Sequence, residues 1–486
     1  MNAANPNVAS EIELEDIRQS LQSCLELQRA AYLANPVVSY QQRKADLLAL
    51  KRLVVENQDA LIDAICKDYG NRSNHETIFA EIVTVLQSIN DAVKHLKSWM
   101  KPQRRKIDFT LYPGAKNRVY PQPLGVVGMI VPWNFPINLS MTGLVSVFAA
   151  GNRSMIKMSE NSRTLTRLLM DISPKYFERD KLAFFEETGG VGIEFSKLHF
   201  DHLIFTGSGQ TGRKVMAAAA QNLVPVTLEL GGKCPAIIAP DYDLKKAVER
   251  ILFVKLFNAG QICTNVDYVF VPTDKRQTFI DLCTDYIKEH CPDINSPDYT
   301  SIIDDVAYRR VLDTIEDARS KGATVINMQP EQVSAEGMRK VQPHLILDTT
   351  EDMTIRNRET FGPLLMVHTY DSPQQVIDYI NHRDRPLAIY PFSNDKSLVQ
   401  RYIDSTMSGG VSVNDALFHV AQHDLPFGGV GASGMGHYHG YDGFITFSKL
   451  RPVFYQAPVT AMKLLAPPYG NFATKMLNFL TKFNAR

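Results

Sequence analysis

At 486 residues the chain exceeds what one hydrophobic core organises, so two or three domains are expected, and 44% hydrophobic content describes an ordinary globular protein. Its 52 basic and 52 acidic side chains cancel, which removes the long-range attraction that nucleic acid or an acidic membrane surface needs. Cys24, Cys66, Cys234, Cys263, Cys283 and Cys291 are dispersed with no Cys-x-x-Cys pair, which argues against a disulfide framework or zinc site and suits a reducing, cytoplasmic setting.

The start, Met1-Asn2-Ala3-Ala4-Asn5, has neither the basic nor the apolar region of a secretory signal, so none is expected. From Glu11 to about Met100 the apolar residues keep a helical period, as in Leu47, Leu48, Leu50, Leu53, Leu61 and Ile65. Lys101-Pro102-Gln103-Arg104-Arg105-Lys106 ends this block and reads as a solvated linker, since the neutral net charge disfavours a nucleic-acid patch.

From Gly125 the pattern alternates. Val126–Val131 is an apolar run bounded by glycine and proline, as in a buried parallel strand. A small-residue helix near Leu139–Ala150 follows, then strands at Ser154–Lys157, Leu203–Phe205 and Val226–Leu228. This alternation predicts an α/β fold with a doubly wound, Rossmann-like sheet. After Gly232 a second α/β series runs to about Gly410, with strands near Ala236–Ile238 and Tyr268–Val271 and helices near Leu244–Phe257 and Lys275–His290. The part from Pro426 onward is rich in Gly, His and Tyr. No run reaches the roughly 18 apolar residues of a membrane span, and Met476–Phe483 reads as an amphipathic turn or two resting on a protein surface.

Three motifs carry chemistry. Cys263 in Phe257-Asn258-Ala259-Gly260-Gln261-Ile262-Cys263 offers a soft nucleophile, and Glu229 in Leu228-Glu229-Leu230-Gly231-Gly232-Lys233 offers a base. Covalent catalysis with hydrolytic turnover needs this pair. Asn134, between Pro132-Trp133 and Phe135-Pro136, adds an amide donor. Gly207-Ser208-Gly209-Gln210-Thr211-Gly212 matches Gly-x-Gly-x-x-Gly, and Glu229 lies where such a fingerprint places its ribose-binding acid. That role is set aside because this is not the first βα unit and Gly231-Gly232 follows at once. His437-x-His439 lacks a third metal ligand, and Gly428–Gly434 lacks the Lys-Ser/Thr of a phosphate loop; a tight turn at a substrate entrance is expected there.

Together with Glu359-Thr360-Phe361-Gly362-Pro363 and Pro426-Phe427-Gly428-Gly429-Val430-Gly431, these motifs resemble the NAD(P)-dependent aldehyde dehydrogenase superfamily from about Asp46 to about Ser448. A short chain, Phe200-Asp201-His202 and Met435–Gly440 resemble its class-three-like branch, which includes coniferyl aldehyde dehydrogenases. The resemblance implies a cofactor-binding domain over 1–230 with an arm segment at about 108–124, a catalytic domain over 231–425, and a return to the cofactor domain with an oligomerisation tail over 426–486. It implies Cys263 as nucleophile, Glu229 as base, and Asn134 with the Cys263 N–H as oxyanion donors. Lys157 and Glu160 would hold the adenosine ribose, and Gly207, Ser208 and Gly212 the turn beneath the cofactor. Glu359, Phe361 and Trp133 would hold the nicotinamide end. The expected cofactor is NAD with some use of NADP, the substrate an aromatic or medium-chain aldehyde, and the assembly a homodimer. Departures from the pattern are Met158 for the usual proline, Cys234 for Ser, Asp or Ala, and Thr264-Asn265-Val266 for a more apolar run, which predicts an altered substrate tunnel. A CoA-acylating enzyme, disfavoured by Glu229, and a non-catalytic protein on the same fold are the alternatives.

Overall fold

The computed structural model describes residues 11–485 apart from positions 110, 459, 461, 463 and 464; the Met1–Asn5 start lies outside them. Helices Glu11–Ala34, Tyr40–Glu56, Gln58–Tyr69 and Thr84–Trp99 bear out the helical period of the first hundred residues. The last of these is preceded by a π-helical segment, Ile78–Val83.

Six strands form the first sheet: β3 (Val126–Ile130), β4 (Arg153–Lys157), β5 (Leu182–Phe185), β6 (His202–Gly207), β7 (Val226–Leu230) and β15 (Gly434–Met435), ordered β15-β7-β6-β3-β4-β5. The first five run parallel, and β15 joins antiparallel to β7. β3 is buried at every residue, which is why its sequence is continuously apolar rather than alternating. The helix Pro136–Ala150 is buried on almost all sides because it packs against the helices Tyr40–Glu56 and Thr84–Trp99 as well as the sheet.

The second sheet holds β8 (Cys234–Ile238), β9 (Val266–Pro272), β10 (Thr324–Asn327), β11 (His344–Leu347), β12 (Leu364–Tyr370), β13 (Ala388–Phe392) and β14 (Gly410–Val411), ordered β10-β11-β12-β9-β8-β13-β14. Only the β10–β11 pair is antiparallel. Gly231-Gly232-Lys233 alone separates β7 from β8, so one short turn carries the chain from the first sheet to the second. A Cβ on Gly232 would lie 3.0 Å from the Leu387 nitrogen, a contact tight enough to favour glycine there.

A third, antiparallel sheet joins β1 (Gln103–Arg105), β2 (Lys116–Pro123) and β16 (Ser448–Tyr455). The stretch expected as a solvated linker therefore contributes a strand: β2 has a free edge, and Gln103–Arg105 pairs with it while its arginines stay exposed. The tail also exceeds expectation. Asn471–Asn484 forms a full helix with only Ala473 buried, and Phe479 and Phe483 stack on its exposed side. Among the described residues no helix is long and apolar enough to cross a membrane.

Candidate active site

In a doubly wound sheet, ligands bind beyond the carboxyl ends of the strands. Trp133 follows β3 there, Lys157 ends β4 with Glu160 three residues on, Gly207 ends β6, and Glu229 lies one residue from the end of β7. The Ser208 hydroxyl caps the helix Gly209–Ala220, accepting from the Thr211 N–H at 3.3 Å. Gly212 has a packing reason: its Cβ would lie 2.7 Å from the Leu230 side chain, so glycine lets that helix close on the sheet. Lys157 is nearly buried and pairs first with a residue that the motifs did not indicate, Glu187, at 2.8 Å, and with Glu160 at 3.9 Å.

From the second sheet comes the Cys263 loop. Asn258, Ala259 and Gly260 all have positive φ, at 52°, 50° and 74°. Two non-glycine residues in that region require an external hold. Gln261 supplies part of it, donating to the carbonyls of Asn258 (2.9 Å) and Ser301 (3.1 Å) and accepting from the Ile303 N–H at 3.0 Å. The Asn258 amide reaches the Tyr69 hydroxyl and the carbonyls of Asn134 and Gln261 at 3.1–3.3 Å. Asn134 in turn donates its side-chain N–H to the Gln261 carbonyl at 3.3 Å. Thus the Trp133–Phe135 turn of one sheet and the Cys263 loop of the other are held by a shared set of hydrogen bonds.

The Glu359–Pro363 segment closes the third side. Glu359 accepts from the Gly232 N–H at 2.9 Å, and a Cβ on Gly231 would lie 2.1 Å from its carboxylate. The Phe361 and Trp133 rings meet edge to face, with centroids 5.6 Å apart.

Cys263 and Glu229 line one cleft, together with Phe79, Phe135, Leu139, Phe257, Leu417, Phe418, Phe427, Tyr438 and His439. Both Glu229 carboxyl oxygens are buried without a hydrogen-bond partner, and burial raises this carboxyl well above its ordinary range. Burial foremost, then the carboxylates of Glu359 and Glu229, push the Cys263 thiol up to about 12, against the N–H groups of Thr264 and Cys263 itself, which favour the thiolate. Burial also raises Glu359, to about 7. Thr264 lines the cleft, whereas Asn265 turns away to donate to the Gly260 carbonyl at 2.6 Å. Cys234 packs behind Cys263, its sulfur 3.8 Å from the Cys263 carbonyl. Phe427 reaches the cleft, while Gly428 and Gly429 press against the backbone at Gly436 and Ser433. Among the described residues no group of three or more His, Cys, Asp or Glu could hold a metal.

Sequence reasoning missed the support beneath this site. Arg72 and Glu81 form a fully buried pair at 2.6 Å. The second Glu81 oxygen accepts from the N–H groups of Ile137 (2.7 Å) and Asn138 (2.9 Å), in the first turn of the helix after Asn134. Glu76 accepts from the Asn258 N–H at 3.0 Å, and the Tyr69 hydroxyl donates to the Asn134 carbonyl at 3.1 Å. The available signal was Glu81 itself, a carboxylate three residues after Ile78 and four before Val85, on an apolar helical stripe.

The chain belongs to the aldehyde dehydrogenase family, whose model matches residues 9–453. It is accordingly an aldehyde dehydrogenase, of a family that oxidises aldehydes to acids with NAD(P). Its relatives include a probable coniferyl aldehyde dehydrogenase of Pseudomonas aeruginosa, 46% identical over 95% of this chain and 96% of that one. A coniferyl aldehyde dehydrogenase of a Pseudomonas species is 41% identical over 95% and 96%. Among solved structures, the substrate-bound state of Staphylococcus aureus AldH superposes with a TM-score of 0.88 at 32% identity, covering 95% of this chain and 99% of that one. The NAD+ complex of a Bacillus cereus aldehyde dehydrogenase gives 0.81 at 25% identity, covering 90% and 89%.

Glu81→Gln, which strands the Arg72 charge in the interior, should cost about 3–5 kcal/mol in denaturant unfolding, whereas Glu81→Gln with Arg72→Met should recover much of that loss, because the amide oxygen can still accept from the Ile137 and Asn138 N–H groups. For the enzyme without cofactor, iodoacetamide alkylation of Cys263 should accelerate steadily from pH 7 to beyond pH 9. A plateau below pH 8 would contradict a raised thiol pKa.

Proposed function

We propose that the enzyme oxidises an aromatic aldehyde, coniferyl aldehyde or a close analogue, or failing that a medium-chain one, through a cysteine thioester that water then hydrolyses. The observation that carries this reading is a buried, unpartnered carboxyl, Glu229, lining the same cleft as the Cys263 thiol. The cleft walls, with five phenylalanines at positions 79, 135, 257, 418 and 427, favour a flat apolar substrate over a charged one.

Cys263 would attack the aldehyde carbon as the thiolate, forming a carbon–sulfur bond and an oxyanion. The Cys263 backbone N–H and the remaining N–H of the Asn134 amide would stabilise that oxyanion, and losing one such donor usually costs about 3–4 kcal/mol of barrier. Collapse releases hydride and leaves the thioester. Glu229, a buried carboxyl lining the same cleft, then takes a proton from water in its carboxylate form; the hydroxide displaces the sulfur and releases the acid. No thiol or phosphate acceptor is needed, which separates this reading from CoA acylation.

The residues present suit a nicotinamide dinucleotide, because Lys157, Glu160, Gly207 and Ser208 share one carboxyl edge while the Trp133–Phe361 ring pair and Glu359 lie toward Cys263. When bound, that group would accept the hydride. Lys157 and Glu160 would face the adenosine ribose, and we take NAD as the preferred cofactor with lesser use of NADP. The first sheet would then be the cofactor domain and the second the catalytic domain. The β1-β2-β16 sheet, with Phe454 and Tyr455 exposed on its edge strand, would serve a homodimer, and six free cysteines fit the cytoplasm.

Purified enzyme should form NADH with cinnamaldehyde-type substrates and benzaldehyde faster than with short aliphatic aldehydes, without CoA. A strict CoA requirement would overturn hydrolysis. Cys263→Ala should abolish NADH formation while Cys234→Ala and Cys283→Ala retain it.

Glu229→Gln should block deacylation more than acylation. In rapid mixing it should give one NADH per active site, then turnover reduced by roughly a hundredfold or more. Turnover near wild type would move the base to Glu359 or another group.

A further inference from the structure

The Lys157 ammonium at the end of β4 is claimed by Glu187, two residues past the end of the neighbouring parallel strand β5. One Glu187 oxygen accepts from the N–H groups of Gly189 (3.0 Å), Gly190 (2.8 Å) and Val191 (3.0 Å), and the other from the Gly192 N–H at 2.9 Å. Gly189 and Gly190 have φ of 107° and 108°, and a Cβ on Gly192 would lie 3.1 Å from the Glu187 carboxylate and 3.4 Å from Lys157 Nζ. The glycines thus let four backbone donors and one ammonium surround a single anion. Such a ring of donors is also what a phosphate seeks, and here the protein's own carboxylate fills it.

We propose that Glu187 is a cofactor-selecting residue: it occupies the anion position beside the adenosine ribose and so turns the enzyme away from the 2′-phosphate of NADP. The proposal rests on the reading of Lys157 and Glu160 as the ribose neighbours. Between the two carboxylates there, Glu187 carries the discrimination. The Glu160 side chain is 64% exposed and can swing into water, where solvent screens it; that of Glu187 is 15% exposed and pinned by five donors. Burial opposes its charge, yet Lys157 and the loop N–H groups hold it below the ordinary carboxylate range, so it remains anionic at neutral pH. A free ribose hydroxyl brings no charge to this position, whereas a phosphate meets like charge and a lysine already paired.

The test is binding of NAD+ and NADP+ to the purified enzyme without aldehyde, followed by calorimetry, for wild type, Glu187→Gln, Glu187→Thr and Lys157→Ala. Removing the charge should raise affinity for NADP+ relative to NAD+ at least tenfold, in both Glu187→Gln and Glu187→Thr. The proposal is overturned if the ratio of dissociation constants stays within twofold of wild type in whichever of the two variants retains the wild-type melting temperature. Lys157→Ala separates this from the underlying reading. If it changes neither dissociation constant, the ribose does not lie there and the assignment of Lys157 falls, whatever the Glu187 variants do. If it weakens both while the Glu187 variants leave the ratio unchanged, the ribose site stands and Glu187 as selector is wrong.

Discussion

The geometry of this active site depends on one buried hydrogen-bond set that joins two sheets. The Asn258 side chain reaches Tyr69, the Asn134 carbonyl and the Gln261 carbonyl, so the Trp133–Phe135 turn after β3 and the Cys263 loop before β9 are mutually located. Asn258 and Ala259 sit at positive φ, a conformation that costs energy and persists only where neighbours over-determine it. In a low-dielectric interior each of these bonds is stronger than in water, and each unmade one is costly. Loop and turn therefore act as one rigid unit.

Around that unit the N-terminal helical block is more than a cover. Tyr69, Arg72, Glu76 and Glu81 reach inward from residues 69–81, and Glu81 holds the first turn of the helix Pro136–Ala150 from outside. The same stretch presents Phe79 to the cleft. A π-helical segment at Ile78–Val83 changes the angular spacing of residues there, so that Glu81 can face the interior while Phe79 lines the cleft. Support for the cleft and part of its wall thus come from the same few residues.

Electrostatically the site is poised rather than charged. Glu229, Glu359 and Cys263 all have raised pKa values from desolvation, and their mutual proximity raises the thiol further. Desolvation thus disfavours the charged form of each of these groups in the cleft. At the other end of the carboxyl edge the opposite holds: Glu187 is kept ionised by five donors.

Local pattern determined much about this protein. Periodicity placed most strands of the first sheet and the long helices, because a buried parallel strand and an amphipathic helix each leave a short-range signature. Cys263, Glu229, Asn134 and Glu359 stood out in motifs whose glycines and prolines mark turns. Tertiary structure alone decided the rest. β1 was hidden because a three-residue edge strand has no periodicity of its own, and β5 because four apolar residues are ambiguous. The pairing of Lys157 with Glu187, of Glu81 with the Ile137 and Asn138 N–H groups, and of Asn258 with Asn134 joins residues far apart in the chain. Hydrogen bonds of that range depend on how the sheets twist and stack, and no local window of sequence contains both partners.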